Sequence, residues 1–261
     1  MFKTKFTMRL KVLFLSVLFL ISFQSFSQSE NGFEAGIHLG VASFQTDYGV
    51  RGDFKSGVTG NAGFAIGTAF YMNFFSRKHG WSSEADWLAQ HIKIKGELSY
   101  LRADLEHFIE GDSETAIQLQ AMHGTSSIVN VGVTGEYHFL DLTNFSIKDG
   151  TTFSPFVGLG AVVNFSKPTF ESSLGNYLTD PTILPEKYRT DAIFTDPETV
   201  FSILMSVGTR ISVNYSSDIV IDSRWQYFTS NKIDGLDPKD DSNKHNDWMY
   251  YLSVGYVFYL N

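Results

Sequence analysis

The stretch of residues 248–261 has a strict two-residue period. Alternate positions are apolar or aromatic throughout, and these are Tyr250, Leu252, Val254, Tyr256, Phe258 and Leu260. The positions between them include Ser253 and Gly255, small residues that suit a crowded interior. A period of two is the repeat of a β-strand whose two faces meet different surroundings. The stretch therefore predicts a strand with one apolar face and one sterically restricted face.

Seven earlier segments show the same alternation and predict seven more strands. They cover residues 33–44, 61–74, 92–100, 128–139, 153–166, 200–213 and 219–228. On each segment one face is an apolar row, while the other carries small, polar or charged side chains. Long polar segments follow the first, third, fifth and seventh strands, and shorter ones follow the fourth and sixth. An even number of strands with alternating long and short connections is typical of transmembrane barrels, in which the long loops are external.

The faces of these strands distinguish a membrane barrel from a soluble one. A soluble eight-stranded barrel has apolar side chains inside and polar ones outside. Here the outward row stays apolar over about ten residues, the length with which a tilted strand crosses a bilayer. Aromatic residues are 15% of the 261 and charged residues only 18%, a balance that fits strands facing lipid on one side only. We predict a single all-β domain, an eight-stranded antiparallel transmembrane β-barrel of the OmpA-like kind, closed because lipid cannot satisfy an open edge.

Two segments fit this scheme less simply. Residues 75–91 follow the second strand, where a short turn is expected, and residues 84–90 within them can form a helical turn. Residues 167–199 are the longest irregular segment and contain Pro168, Pro181, Pro185 and Pro197. Proline at that density excludes a central strand, so a loop is predicted there.

The N-terminus has the pattern of a secretory leader. Lys3, Lys5, Arg9 and Lys11 give a basic start, an apolar run covers residues 12–21, and Ser25-Phe26-Ser27 fits a cleavage site. The prediction is a cleaved signal peptide at 1–27 and a barrel domain at 28–261, located in the outer membrane. A single membrane anchor is the alternative. Loss of the leader takes the formal charge from −8 to −12, which argues against nucleic acid as a partner.

The predicted interior carries charges of both signs in nearly equal numbers. The members of this interior charge network are Glu34, His38, Lys93, Lys95, Glu97, Glu136, Arg210, Asp222 and Arg224, with His138 beside them. In a barrel this narrow they are expected to pair and fill the lumen, because buried charges need partners. A proton or ion path is the alternative interpretation.

Three further groups of residues are candidates for chemistry or binding. His123 with Ser126 or Ser127, and Glu106 or Glu114 as the acid, has the residue types of a Ser-His-acid site. Asp234, Asp237, Asp240, Asp241, Asn243 and Asp247 are oxygen ligands that suit calcium, although their spacing is not that of an EF-hand and a solvated loop is the simpler interpretation. Tyr177, Tyr188 and Phe194 are candidate partner contacts, or they pack the loop onto the barrel rim. We predict no metal, no cofactor and no catalytic residue; Cys is absent from the sequence.

Residues 33–49, 121–140 and 153–168 resemble a flavobacterial family of uncharacterised outer-membrane barrels. More distantly they are similar to PorG-like barrels of the type IX secretion machinery of Bacteroidota, in which a strand ending in an aromatic residue and Leu precedes a Pro-aromatic strand, as at Phe139-Leu140 and Pro155-Phe156. Residues 248–261 resemble the strand by which the barrel assembly machinery recognises its substrates. The resemblance implies a protein in contact with outer-membrane lipid.

These observations lead to one expected function and two alternatives. The expectation is a non-enzymatic outer-membrane barrel with a plugged polar interior, which acts as an anchoring or accessory subunit of an envelope complex, secretion-related if the resemblance holds. A lipid-modifying outer-membrane enzyme that uses His123 is one alternative. A small-solute channel is the other.

Overall fold

The computed structural model describes residues 32–48, 55–74, 87–142, 145, 152–239 and 246–260. The predicted signal peptide at 1–27 lies outside these residues, as does most of the turn predicted at 75–91. In the described part, eight strands form one antiparallel sheet. They are β1 (Gly32–Gln45), β2 (Ala62–Asn73), β3 (Ile92–Glu106), β4 (Met122–His138), β5 (Phe153–Ser172), β6 (Glu198–Asn214), β7 (Ser217–Phe228) and β8 (Trp248–Leu260).

The sheet closes on itself. Each strand pairs with the next along the chain, and β8 pairs with β1 from Phe33↔Leu260 to Gln45↔Trp248. The predicted eight-stranded closed barrel is therefore confirmed. Closure removes both sheet edges, which is the condition for a β-structure to lie in lipid.

The two faces of the wall have opposite character. Large apolar side chains point outward and stay exposed, with Leu159 at 63%, Phe201 at 64% and Met205 at 62%. The inward face buries Glu34, Arg210 and other charged residues almost completely. An exterior this apolar around a polar interior is stable in a bilayer and costly in water. The protein is a transmembrane β-barrel, as its alternation predicts.

Helical structure is short and lies in the connections. Helix α1 (Trp87–His91) precedes β3, and α2 (Glu114–Gln120) lies between β3 and β4. The helical turn predicted at 84–90 is thus present from Trp87 onward; residues 84–86 lie outside the described part. Ser113 caps α2 by accepting a hydrogen bond from the Ala116 amide at 3.2 Å. No described helix is long and apolar enough to cross a membrane.

Strands β3, β4 and β5 extend outward beyond their apolar rows. Residues 102–126, which the sequence pattern allows as a loop or as a strand extension, are in part a strand extension. β3 continues to Glu106, β4 begins at Met122, and β5 continues to Ser172. The prediction that 167–199 is entirely irregular is therefore wrong for its first six residues, and for its last two, since β6 begins at Glu198. Pro168 lies in β5 and pairs with Ser126 of β4, but β5 has no β6 partner beyond Ser166. A proline, which has no N–H, is tolerated where one side of the strand is unpaired.

The outer ends of these strands and the long loops form a folded unit, which we call the external cap: residues 101–127, 167–197 and 229–239. An apolar core lies beneath it inside the barrel mouth and includes Phe44, Tyr48, Leu105, Leu119, Met122, Phe170, Leu184, Tyr188, Phe228, Ile233, Leu236 and Met249. The two longest loops join through the bridge Ile193↔Leu236 and a bond from the Phe194 amide to the Gly235 carbonyl at 2.8 Å. Two 3₁₀ turns, Pro181–Ile183 and Glu186–Tyr188, shape the proline-rich loop.

Candidate functional site

The end of the lumen that lies away from the external cap contains one group of charges around Arg210. This guanidinium contacts Glu34 at 2.7 Å and Asp218 at 2.9 Å, and Lys93 bonds to the same Glu34. The Tyr259 hydroxyl also donates to Asp218 at 2.7 Å. Asp218 is absent from the predicted network because the predicted strand began at 219. Its signal was its even spacing from Asp222, which puts both on the inward face.

A second group of charges spans the lumen. Arg224 of β7 makes two hydrogen bonds to Glu97 of β3, at 2.5 and 2.6 Å. Lys95, also on β3, contacts Asp222 of β7 at 2.9 Å and Glu97 at 3.4 Å. Strands β3 and β7 are four places apart in a ring of eight, so these ion pairs connect opposite walls. The geometry stabilises the charges by direct contact across the barrel.

The two inward histidines have neighbours of their own. His38 Nε2 lies 3.0 Å from the Tyr71 hydroxyl, and its ring lies where a side chain on Gly255 would clash. His138 Nδ1 lies 2.9 Å from Ser154 Oγ, and its Nε2 lies 3.5 Å from Glu136. All of the predicted interior residues are therefore buried, and each lies beside another polar group.

Little space remains among these side chains. The cavity between His38, Lys95, Glu97, Arg224 and Tyr251 has a volume of about 10 Å³, roughly what one water molecule needs. Above it, the apolar core of the external cap fills the barrel mouth. In the described barrel, ion pairs and apolar side chains occupy the route that a solute would take.

Two aspartates of the β7–β8 loop are buried, Asp234 within the external cap and Asp247 directly before β8. Asp234 accepts hydrogen bonds from the amides of Asp47 at 3.0 Å and Leu236 at 2.8 Å, and Asp247 accepts one from Ile233 at 3.0 Å. Burial and the neighbouring Asp47 carboxylate raise the pKa of Asp234 to about 8. Burial and Asp234 raise the pKa of Asp247 well above its usual range. These two carboxyls hold the loop in place through backbone amides.

The other candidate calcium ligands lie partly outside the described residues. Asp237 accepts a hydrogen bond from Asn231 at 2.6 Å, while Asp240, Asp241 and Asn243 lie outside the described residues. No group of three or more acidic or histidine side chains in the described chain is arranged to hold a metal ion. The interpretation of this loop as solvated is wrong for Asp234 and Asp247, because contacts with distant segments bury both.

The aromatic residues of the proline-rich loop point toward the cap. Tyr188 is 1% exposed in the apolar core, and Tyr177 packs edge-on against Phe170 with ring centroids 5.0 Å apart. Phe194 is half-buried beneath the Lys232 ammonium, 4.0 Å from its ring centre. All three side chains therefore contact the protein itself, which agrees with the alternative that they pack the loop onto the barrel and not with exposed partner contacts.

The candidate Ser-His-acid residues do not meet as a triad. His123 Nδ1 lies 3.5 Å from Glu106, and both are exposed on the outer face of paired strands. Ser126 points inward and donates to the Ile233 carbonyl at 2.7 Å. Ser127 shares the face of His123 but lies four residues along the strand, about 13 Å away. Glu114 begins helix α2. His123 thus has an acid partner without either predicted nucleophile.

The external surface does contain a groove beside α2. Its volume is about 430 Å³, and its lining combines acidic, polar and apolar side chains: Asp112, Glu114, Ile117, Gln118, Leu174, Thr182 and Ile183. Gln118 of α2 donates a hydrogen bond to the carbonyl of Thr182 in the proline-rich loop at 3.0 Å, and this bond joins the two sides of the groove. Ile117 and Leu174 are both nearly half exposed. The acidic side chains of the lining, Asp112 and Glu114, lie at the N-terminal end of α2.

The closed sheet, the apolar exterior and the filled polar interior define an eight-stranded transmembrane β-barrel of the outer-membrane type. Among solved structures, the chain is similar to Neisserial surface protein A (12% identity over 87% of this chain and 96% of that one, TM-score 0.45). It is also similar to a major outer membrane protein of Thermus thermophilus (8% identity, 87% and 99%, TM-score 0.45). A third is the outer membrane enzyme PagL (10% identity, 86% and 98%, TM-score 0.37). No protein-family model matches the chain, and no curated protein matches it. The class assignment rests on the protein's own geometry.

Proposed function

We propose that this protein is a non-enzymatic outer-membrane barrel that anchors the external cap as an accessory subunit of an envelope complex. The observation that carries the proposal is the cap itself. Its loops are folded over an apolar core and fixed by buried carboxyls, which makes a rigid surface on a membrane anchor. Binding residues occur disproportionately on loops that a scaffold holds in position.

The filled interior supports a role for the outer surface rather than the lumen. Channels require a continuous polar route, and here the charges pair across the barrel beneath an apolar layer. Neither predicted serine lies beside His123, which gives no support to lipid chemistry at the predicted residues. What remains accessible is the cap, with its groove beside α2.

The groove has the properties of a contact site for another protein. Ile117 and Leu174 line it and supply exposed apolar contact area that another protein can cover. Asp112 and Glu114 at the N-terminal end of α2 favour a partner segment that carries an apolar side chain next to basic residues. The resemblance of residues 121–140 and 153–168 to PorG-like barrels supports a partner from the secretion machinery. The leader pattern at 1–27 supports export with a cleaved signal peptide.

The test is co-purification with matched groove variants. Tagged protein is extracted from its native outer membrane in mild detergent, and co-purifying proteins are quantified by mass spectrometry. Ile117→Asp puts a charge into the groove, so we expect a stoichiometric partner to fall about 30-fold, which corresponds to the loss of a binding hot spot. Leu178→Asp is the control, since Leu178 is 76% exposed and does not line the groove.

Two results would contradict the proposal. One is purification of the wild-type barrel alone. The other is a partner that both aspartate variants retain equally, which would place the contact elsewhere. Each variant must first show the heat-dependent gel shift of a folded barrel, so that loss of the partner is not loss of the fold.

A further inference from the structure

The apolar band of the barrel ends abruptly on three neighbouring strands. On β3, β4 and β5 the last outward apolar residues are Tyr100, Val129 and Phe165. They are direct cross-strand partners, so they form one continuous row across the wall. This row lies at the external edge of the band, since the strands continue from it into the cap.

The next outward row is polar and bears two positive charges. Arg102, Ser127 and Lys167 are again direct cross-strand partners, two residues beyond the apolar row on each strand. Neighbouring strands lie about 4.8 Å apart, so the Arg102 and Lys167 backbones flank Ser127 at a separation of about 10 Å. Both long side chains are exposed and can reach a group that lies above the serine hydroxyl.

The acidic neighbours of this row lie further from the membrane. Asp104 is 3.9 Å from Arg102 and accepts a hydrogen bond from Thr125 at 3.1 Å. Beyond it, the outermost row contains Glu106, His123 and Glu171. Among the residues that the structure describes, Lys167 makes no ion pair. The cations Arg102 and Lys167 therefore lie directly next to the edge of the apolar surface, and the carboxylates lie further from the membrane.

We propose that Arg102 and Lys167 clamp the phosphate of an anionic lipid in the outer leaflet. Ser127 donates a further hydrogen bond, and the acyl chains of the lipid lie against Tyr100, Val129 and Phe165. The guanidinium binds phosphate through two parallel hydrogen bonds, and basic side chains at a membrane surface attract anionic head groups. None of these residues lines the groove beside α2, so the proposal does not rest on that groove.

Binding is measured by native mass spectrometry of the refolded barrel in a neutral detergent, titrated with diphosphorylated lipid A. Each basic side chain at a membrane surface contributes about a fivefold gain in affinity. We therefore expect Arg102→Gln and Lys167→Gln each to weaken binding about fivefold, and the double variant about 30-fold. Lys239→Gln is the matched control, since it removes an exposed positive charge from the cap and is expected to leave binding unchanged.

Three outcomes overturn the proposal. The first is equal binding of the same lipid after its phosphates are removed. The second is displacement of lipid A by millimolar inorganic phosphate, which would assign the site to a free anion instead of a lipid. The third is a double variant that binds like Lys239→Gln while it keeps its heat-dependent gel shift. Weakening confined to the Arg102 and Lys167 variants, and greater at low salt, supports the clamp.

Discussion

The contact between Arg224 and Glu97 gives the sharpest test of the interior. Both side chains are almost completely buried, and two short hydrogen bonds join them across the lumen. Arg224→Met leaves Glu97 with Lys95 at 3.4 Å as its nearest cation, and Lys95 is already engaged by Asp222. Removal of one member of a buried ion pair costs about 3–5 kcal/mol, so we expect a loss of that size in the free energy of unfolding.

The double variant separates pairing from simple loss of volume. Glu97→Met/Arg224→Met removes both charges and keeps apolar side chains of similar length, while the Lys95–Asp222 pair stays intact. Replacement of a buried pair by apolar residues is often nearly neutral. We therefore expect the double variant to regain at least about 2 kcal/mol relative to Arg224→Met alone.

The assay is urea unfolding of the barrel in lipid vesicles, followed by tryptophan fluorescence. Glu106→Gln is the exposed control, because its contact with His123 at 3.5 Å lies in solvent, and exposed pairs contribute about 0–1 kcal/mol. The reasoning is refuted if Arg224→Met costs no more than this control. It is also refuted if the double variant loses the sum of both single losses, since the two side chains would then act independently.

Two further predictions concern the external cap. Folding keeps Asp234 and Asp247 protonated above the pH at which the unfolded chain releases those protons, so the stability of the cap should fall as pH rises from about 4 to about 8. Protease cleavage of the β7–β8 loop, normalised to cleavage of the unfolded chain at each pH, should therefore rise over that range. Asp247→Asn should make this rise smaller. Tyr188→Ala empties part of the apolar core at a cost of about 3–5 kcal/mol, so a protease should cleave the proline-rich loop while the heat-dependent gel shift persists. Leu178→Ala, at a highly exposed position, should change neither result. A Tyr188→Ala variant whose loop is not cleaved would contradict the proposed core.

The sequence predicted the membrane part of the barrel well because a two-residue period reports directly which face each side chain occupies. Outside the bilayer the same period persists with its polarity reversed. Leu101, Ala103 and Leu105 point inward on β3, and Asp104 and Glu106 point outward. The outward apolar row therefore ends near residue 100, six residues before β3 does, and the pattern alone leaves the next residues as either a loop or a strand extension.

The cap could not be predicted from local pattern, because its burial depends on contacts between distant segments. Asp234 lies in a stretch rich in acidic and polar residues, and only its bonds to Asp47 and Leu236 explain why it is buried. Tyr188 follows a proline in an irregular segment, and its burial depends on segments far away in the chain. Residue type and spacing give no information on such contacts. For Glu97 and Arg224, by contrast, the two-residue period alone predicts that the side chains face the interior of the barrel.

The ion pairs between β3 and β7 also constrain how the chain reaches its membrane. Glu97 and Lys95 are synthesised more than a hundred residues before Arg224 and Asp222, and the contacts form only when the seventh strand arrives opposite the third. Until then these side chains keep their charges, which hydrocarbon would not tolerate. An open, half-made sheet must accordingly stay hydrated, and neutralisation of its inner surface coincides with ring closure. Insertion and completion of the charge pairs are then a single late event in biogenesis.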